Sequence, residues 1–296
     1  MRLIQLFLLS FFLFSCSNST KKEAIQTEIQ ETVVLEEPIN LPPLPKLMVF
    51  CGQTITFDNF DVKERLDREI IVNTYRHSAT IQYLKRANRF FPVLKQILKE
   101  ENIPEDLIYL CVAESGLAQV TSRSGAKGFW QFMKPTAKEY GLEVDINIDE
   151  RLHVEKSTRA ACQYLKDANT IFNDWLLTCA SYNRGMGGIK KDLKSQQANT
   201  YFDLHLNAET SRYVFRILAL KIVMENPEAY GFNLRENELY SKINVESIPI
   251  SENIDDLVQW SIDHGTTYRM VKILNPWVLG SKLKIKNHKF SLQIPK

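Results

Sequence analysis

Charge of one sign, clustered metal ligands and long apolar runs are all scarce in this chain of 296 residues. Lys and Arg total 37 against 35 acidic residues, a net charge of +2. A nucleic-acid binder normally concentrates basic charge on one face, so that class is disfavoured, although a mildly anionic polymer is not. The cysteines number 5 and the histidines 5. Neither type forms a CxxC or a Cys/His cluster, and His77, His153, His205, His264 and His288 are scattered, so no metal site and no cofactor is expected. Beyond the N-terminus no apolar run approaches the roughly 20 residues that cross a bilayer. Internal repeats are absent. Strand-like alternation is missing from 58 to 230, which excludes an all-β domain there and leaves a mainly α fold.

What is present begins with MRLIQLFLLSFFLFSC, in which one Arg precedes an apolar run from Leu3 to Phe14. The run is too short to span a bilayer comfortably and reads as an export signal. Its end, Leu13-Phe14-Ser15-Cys16, resembles the lipobox of bacterial lipoproteins, in which the Cys becomes the lipidated first residue. The plainer alternative is a secretory signal with a chance Cys. By analogy, Ser17 suggests an anchor in the outer membrane facing the periplasm. The expected organisation is a signal over 1–16 and a polar, proline-bearing tether over 17–57 without a core of its own. A helical domain over 58–230 and a smaller module over 240–296 follow.

With 44% hydrophobic and 10% aromatic residues there is ample material for a core. Expected helices cover 58–75, 78–88 and 92–100, then Ile103 to Gly116, short ones at 128–133 and 135–140, and a long one over 149–172. Asp174 caps the next, and helices near 189–194 and 209–225 complete the set. Cys111, Cys162 and Cys179 fall within apolar helical patterns as small core residues. The stretch Ile103–Gly116 carries the chemistry. Pro104, Glu105 and Asp106 suit a helix start, and Gly116 suits a left-handed end. Leu107, Leu110, Cys111 and Glu114 fall at i, i+3, i+4 and i+7, so a carboxylic acid shares an apolar face. Desolvation and the negative end of its own helix both raise its pKa, as a general acid near neutral pH requires.

Glu114-Ser115, Gly128-Phe129-Trp130-Gln131-Phe132-Met133, Ser181-Tyr182-Asn183 and AETSRYV occur in that order. Together they resemble the signature motifs of the soluble-lytic-transglycosylase family, whose fold is like goose-type lysozyme, from about Asn88 to Met224. The resemblance implies cleavage of the β-1,4 bond between N-acetylmuramic acid and N-acetylglucosamine in peptidoglycan. One Glu, here Glu114, would protonate the leaving oxygen and then take a proton from the muramoyl C6 hydroxyl, leaving a 1,6-anhydro end. A single acid in motif context suits an intramolecular nucleophile, because hydrolysis normally needs a second carboxylate.

Ser115, Gln131, Tyr182, Asn183, Glu209 and Tyr140 would line the substrate groove, with the Tyr182 hydroxyl approaching Glu114. All but Tyr140 have a blander reading: Ser115 satisfying a helix carbonyl, Gln131 on the surface, Tyr182 in the core, Asn183 ending a helix, Glu209 at a helix N-terminus. Phe129 or Trp130 stacks on a sugar or packs in the core. DDLVQWSIDHGTTYRMVKILNPW has the layout of a diverged LysM module, β-α-α-β in order, which implies binding of N-acetylglucosamine-containing glycans or a merely structural cap. The expected partners are therefore peptidoglycan strands and, through Cys16, a membrane. The competing readings are a non-catalytic peptidoglycan-binding lipoprotein and a hydrolytic muramidase.

Overall fold

The computed structural model describes residues 40–285 and 290–296. The expected signal and Cys16 lie outside the described residues, as does most of the expected tether. The rest of that tether is folded. Strands β1 (Leu47–Phe50) and β2 (Gln53–Thr56) pair antiparallel from Leu47↔Thr56 to Phe50↔Gln53. Cys51 and Gly52 between them both take left-handed φ, 49° and 79°, the two-residue turn that matches strand twist. Alternation sends Met48, Phe50, Ile55 and Phe57 into the helical core. The Cys51 N–H donates to Asp106 Oδ2 at 2.6 Å. A segment without a core of its own is thus an ordered part of the domain's core.

Helix α1 (Phe60–Tyr75) starts where the Asn59 side chain accepts from the Asp61 and Val62 N–H groups. Residues 78–88 and 92–100, expected as two helices, form one, α2 (His77–Glu100), with Pro92 inside. An internal proline costs about 3 kcal/mol. Packing on both sides offsets it: Ala87, Leu94, Ile97 and Leu98 are buried, Phe90 meets Phe129 edge-on at 4.8 Å and Phe91 meets Tyr109 at 5.9 Å. After a 3-10 turn at Glu105–Leu107 comes α3 (Ile108–Ser115), which Gly116 closes in the left-handed conformation at φ 59°.

The 128–133 stretch is a turn rather than a helix, held between bridges Thr121↔Lys127 and Lys127↔Phe132. Helix α4 (Lys134–Glu139) follows it. Helix α5 (Val154–Phe172) buries Ala160, Ala161, Leu165 and Ala168. Asp174 caps α6 (Trp175–Arg184) by accepting from the Leu177 N–H at 2.7 Å. Then come α7 (Met186–Gln196) and α8 (Ala208–Glu225). Helix α8 packs against α1, α3 and α6, and α5 lies between α2 and α6. Cys111, Cys162 and Cys179 are buried free thiols, and Cys51 is half-buried and also free.

The chain then crosses the back of α2, where the Tyr240 N–H donates to Lys85 O at 3.2 Å. It ends in strand β3 (Val245–Ile250), helices α9 (Leu257–Asp263) and α10 (Tyr268–Leu274), and strand β4 (Phe290–Pro295), which pairs antiparallel with β3. That is the expected β-α-α-β order. Its own core contains Leu257, Val271, Trp277, Leu283, Phe290 and Leu292, joined by Ile148 from the helical domain. Among the described residues, no helix is long and apolar enough to cross a membrane.

Candidate active site

Glu114 sits in the last turn of α3, one helical turn beyond the fully buried Leu110 and Cys111. The turn after it is tightly seated. A Cβ on Gly116 would lie 2.3 Å from Cε1 of the Tyr83 ring, and Arg86 Nη1 donates to Gly116 O at 3.1 Å. Glu114 itself is half-buried, and its Oε1 accepts a 2.5 Å hydrogen bond from the Tyr213 hydroxyl on α8.

Burial pushes the Glu114 carboxyl up to about 7, and the Glu209 charge adds to that rise; the Tyr213 bond and the Arg216 charge oppose it. Of the two causes expected from the sequence, desolvation is the leading one here. Burial holds the Tyr213 hydroxyl well above the usual phenol range, so it serves as a neutral donor. A carboxyl poised near neutrality can both give and take a proton at pH 7.

The structure gathers some of the expected residues around this acid and commits others elsewhere. The Tyr182 hydroxyl donates to Trp130 O at 2.8 Å, so the contact expected of Tyr182 is made by Tyr213. Tyr182 is still close enough for the Glu114 charge, after burial, to raise its pKa. Gln131 lies in the turn with φ 49°, and its Nε2 donates to Gly128 O at 2.7 Å and Val120 O at 3.1 Å. Ser115 Oγ donates to Cys111 O at 3.3 Å and accepts from the Leu117 N–H at 3.1 Å, the pattern of a helix-ending hydroxyl. Asn183 Oδ1 accepts from Thr210 Oγ1 at 2.8 Å, joining α6 to α8 beside the site.

Glu209 opens α8 with its side chain 61% exposed and lies 3.5 Å from Arg216 Nη1. Tyr140 ends α4, with its ring 5.5 Å from Tyr164, whose ring is in turn 5.0 Å from Tyr182. It also borders a cavity of about 430 Å³ lined by Glu143, Lys156 and Arg159, which includes neither Glu114 nor Tyr213. Phe129 and Trp130 are fully buried, and Trp130 Nε1 donates to Thr158 Oγ1 at 2.9 Å, so both are core residues rather than sugar platforms.

Tyr213 was not singled out by sequence reasoning. Its signal was available: Thr210, Tyr213, Val214 and Ile217 form a buried i, i+3, i+4, i+7 stripe with a hydroxyl in it, the pattern that marked Glu114. Among the described residues, no group of three or more His, Cys, Asp and Glu could hold a metal ion.

The helical domain thus holds a carboxylic acid that burial keeps protonatable near neutrality and that a neutral phenol binds. Residues 92–204 match the transglycosylase SLT domain, and residues 246–296 match the soluble lytic transglycosylase C-terminal LysM-like domain; the chain carries both domains. It is homologous to the membrane-bound lytic murein transglycosylase D of Escherichia coli, with 28% identity over 261 residues, covering 84% of this chain and 56% of that one. The chain therefore spans about half the length of that relative. Among solved structures, the lytic transglycosylase Slt of Pseudomonas aeruginosa aligns at TM-score 0.39 and 20% identity, over 51% of this chain and 26% of that one. The 70 kDa soluble lytic transglycosylase of Escherichia coli aligns at TM-score 0.40 and 20% identity, over 52% and 27%.

Proposed function

We propose that this protein is a peptidoglycan lytic transglycosylase with Glu114 as its one general acid and base. The observation that carries the reading is the Glu114 carboxyl, raised to about 7 by burial and bound by Tyr213 inside an SLT-domain chain. In the protonated form, Glu114 gives its proton to the glycosidic oxygen as the bond to the muramoyl C1 breaks. The resulting carboxylate then takes the proton of the C6 hydroxyl, whose oxygen closes on C1. The proton returns to Glu114, no water is consumed, and the product ends in 1,6-anhydro-N-acetylmuramic acid. The attacking hydroxyl belongs to the substrate, so its effective concentration is high. Gln131, Asn183, Ser115, Tyr182, Tyr140 and Glu209 are proposed to flank the glycan. The LysM-like module gives the chain a second glycan-directed surface. Cys16 is proposed as the lipidated residue that keeps the enzyme at the envelope, in the outer membrane facing the periplasm.

The test is mass spectrometry of sacculi digested by the whole protein. Anhydro ends are expected, and Glu114→Gln should abolish them, a loss of at least about 10³-fold. Reducing ends would indicate hydrolysis instead. Glu209 is the other carboxylate whose charge reaches Glu114, so a hydrolase should then lose activity in Glu209→Gln as well. Binding without any release would mark a non-catalytic glycan-binding lipoprotein.

A further inference from the structure

The segment 147–153 touches two parts of the chain that lie far apart in sequence: the C-terminal module and the turn that carries Gln131. Toward the module, the Asp149 N–H donates to Trp277 O at 2.8 Å and the Leu279 N–H donates to Asn147 O at 2.8 Å. Ile148 is 1% exposed within the module's core, and the His153 ring lies 5.6 Å from that of Trp277.

Toward the turn, Arg151 Nε and Nη2 each reach Asp149 at 2.8 Å, and Arg151 Nη1 donates to Gly125 O at 2.9 Å and to Phe132 O at 3.0 Å. Lys127 Nζ adds a 3.3 Å contact to Asp149. Arg151 and Asp149 are only 5% and 1% exposed. The close fit continues in the backbone, because a Cβ on Gly128 would stand 1.9 Å from Arg151 O, and Gly128 has φ 80°.

The turn is therefore gripped from α3, α6 and the 147–153 segment. Cys111 on α3 donates to Phe129 O at 3.5 Å, Tyr182 on α6 to Trp130 O at 2.8 Å, and Arg151 closes both ends through Gly125 O and Phe132 O. A left-handed non-glycine residue such as Gln131 persists only where its surroundings over-determine it. A guanidinium is the side chain that can hold a carboxylate with one edge and two carbonyls with another.

We propose that the buried Asp149–Arg151 pair is a positioning device: seating of the LysM-like module on Asn147–Asp149 is transmitted through Arg151 to the 125–132 turn and holds Gln131 in place for the reaction at Glu114. This rests on the proposed function for its catalytic consequence, and on geometry alone for the coupling.

The test uses the whole chain as Arg151→Lys, Trp277→Ala and Glu114→Gln beside the natural protein. Hydrogen exchange at the 125–132 amides is measured together with kcat and KM on solubilised glycan strands. Arg151→Lys keeps a charge toward Asp149 but cannot span both carbonyls. It should speed exchange at 125–132 and lower kcat about tenfold, with KM within about twofold. Trp277→Ala removes the ring that packs in the module's core and against His153, which loosens the seat, and should produce the same two changes. Unchanged exchange at 125–132 in Trp277→Ala overturns the proposal, and so does faster exchange with unchanged kcat. Should Glu114→Gln turn over glycan normally, the enzyme assignment fails instead, while the exchange data still decide the coupling.

Discussion

Glu114 holds its proton because the folded chain takes water away from a carboxyl and returns a single phenolic O–H. Its pKa rises from 4.5 to about 7 in the folded protein. Between those values the folded state binds a proton that the unfolded chain has released, so the stability Glu114 contributes is greatest below about pH 4.5 and falls as pH rises toward 7. Glu114→Gln removes the charged form and should be more stable than the natural protein above pH 7, by about 1–3 kcal/mol after allowance for partial exposure. Thermal melts at low and high pH check this; equal shifts at both would contradict it. The Tyr213 bond pulls the Glu114 pKa down, so Tyr213→Phe should move the alkaline limb of the activity profile upward in pH. It should also lower kcat about tenfold, by loosening the carboxyl.

At the scale of elements, the helices around the site were largely legible in sequence, because caps and a 3.6-residue period are local signals. Asp174, Gly116 and the Leu107–Glu114 stripe all do what their positions imply. The elements that departed depend on contacts distant in sequence. α2 runs through Pro92 because Phe90 and Phe91 pack on Phe129 and Tyr109 before it, while Leu94, Ile97 and Leu98 are buried after it. The β1–β2 hairpin is too short to announce itself, and its alternation has meaning only once Phe50 is buried against helices. Phe50→Ala should cost about 3–5 kcal/mol in denaturant unfolding. A surface tether would lose almost nothing. Gly116→Ala combines a left-handed φ with a clash against Tyr83 and should cost at least about 1 kcal/mol, more than Gly→Ala at the open Gly141 turn.

At the scale of the molecule, the LysM-like module is built onto the helical domain rather than hung from it, since Ile148 belongs to its core and Leu152 packs on it. Residues 41–296 should therefore melt in one cooperative calorimetric transition, and two separated transitions would show the shared core to be energetically idle. Composition, capping and hydrophobic period by themselves determined a mainly helical chain with a β-α-α-β end and an acid on the inward face of one helix, because each is encoded within a few neighbouring residues. Only tertiary structure decided which hydroxyl reaches that acid. Tyr182 and Tyr213 carry the same inward stripe signal, and the choice depends on where α6 and α8 lie against α3. The same holds for Gln131: its place is set by a guanidinium, a thiol and a phenol from three other parts of the chain, whose convergence no local pattern contains.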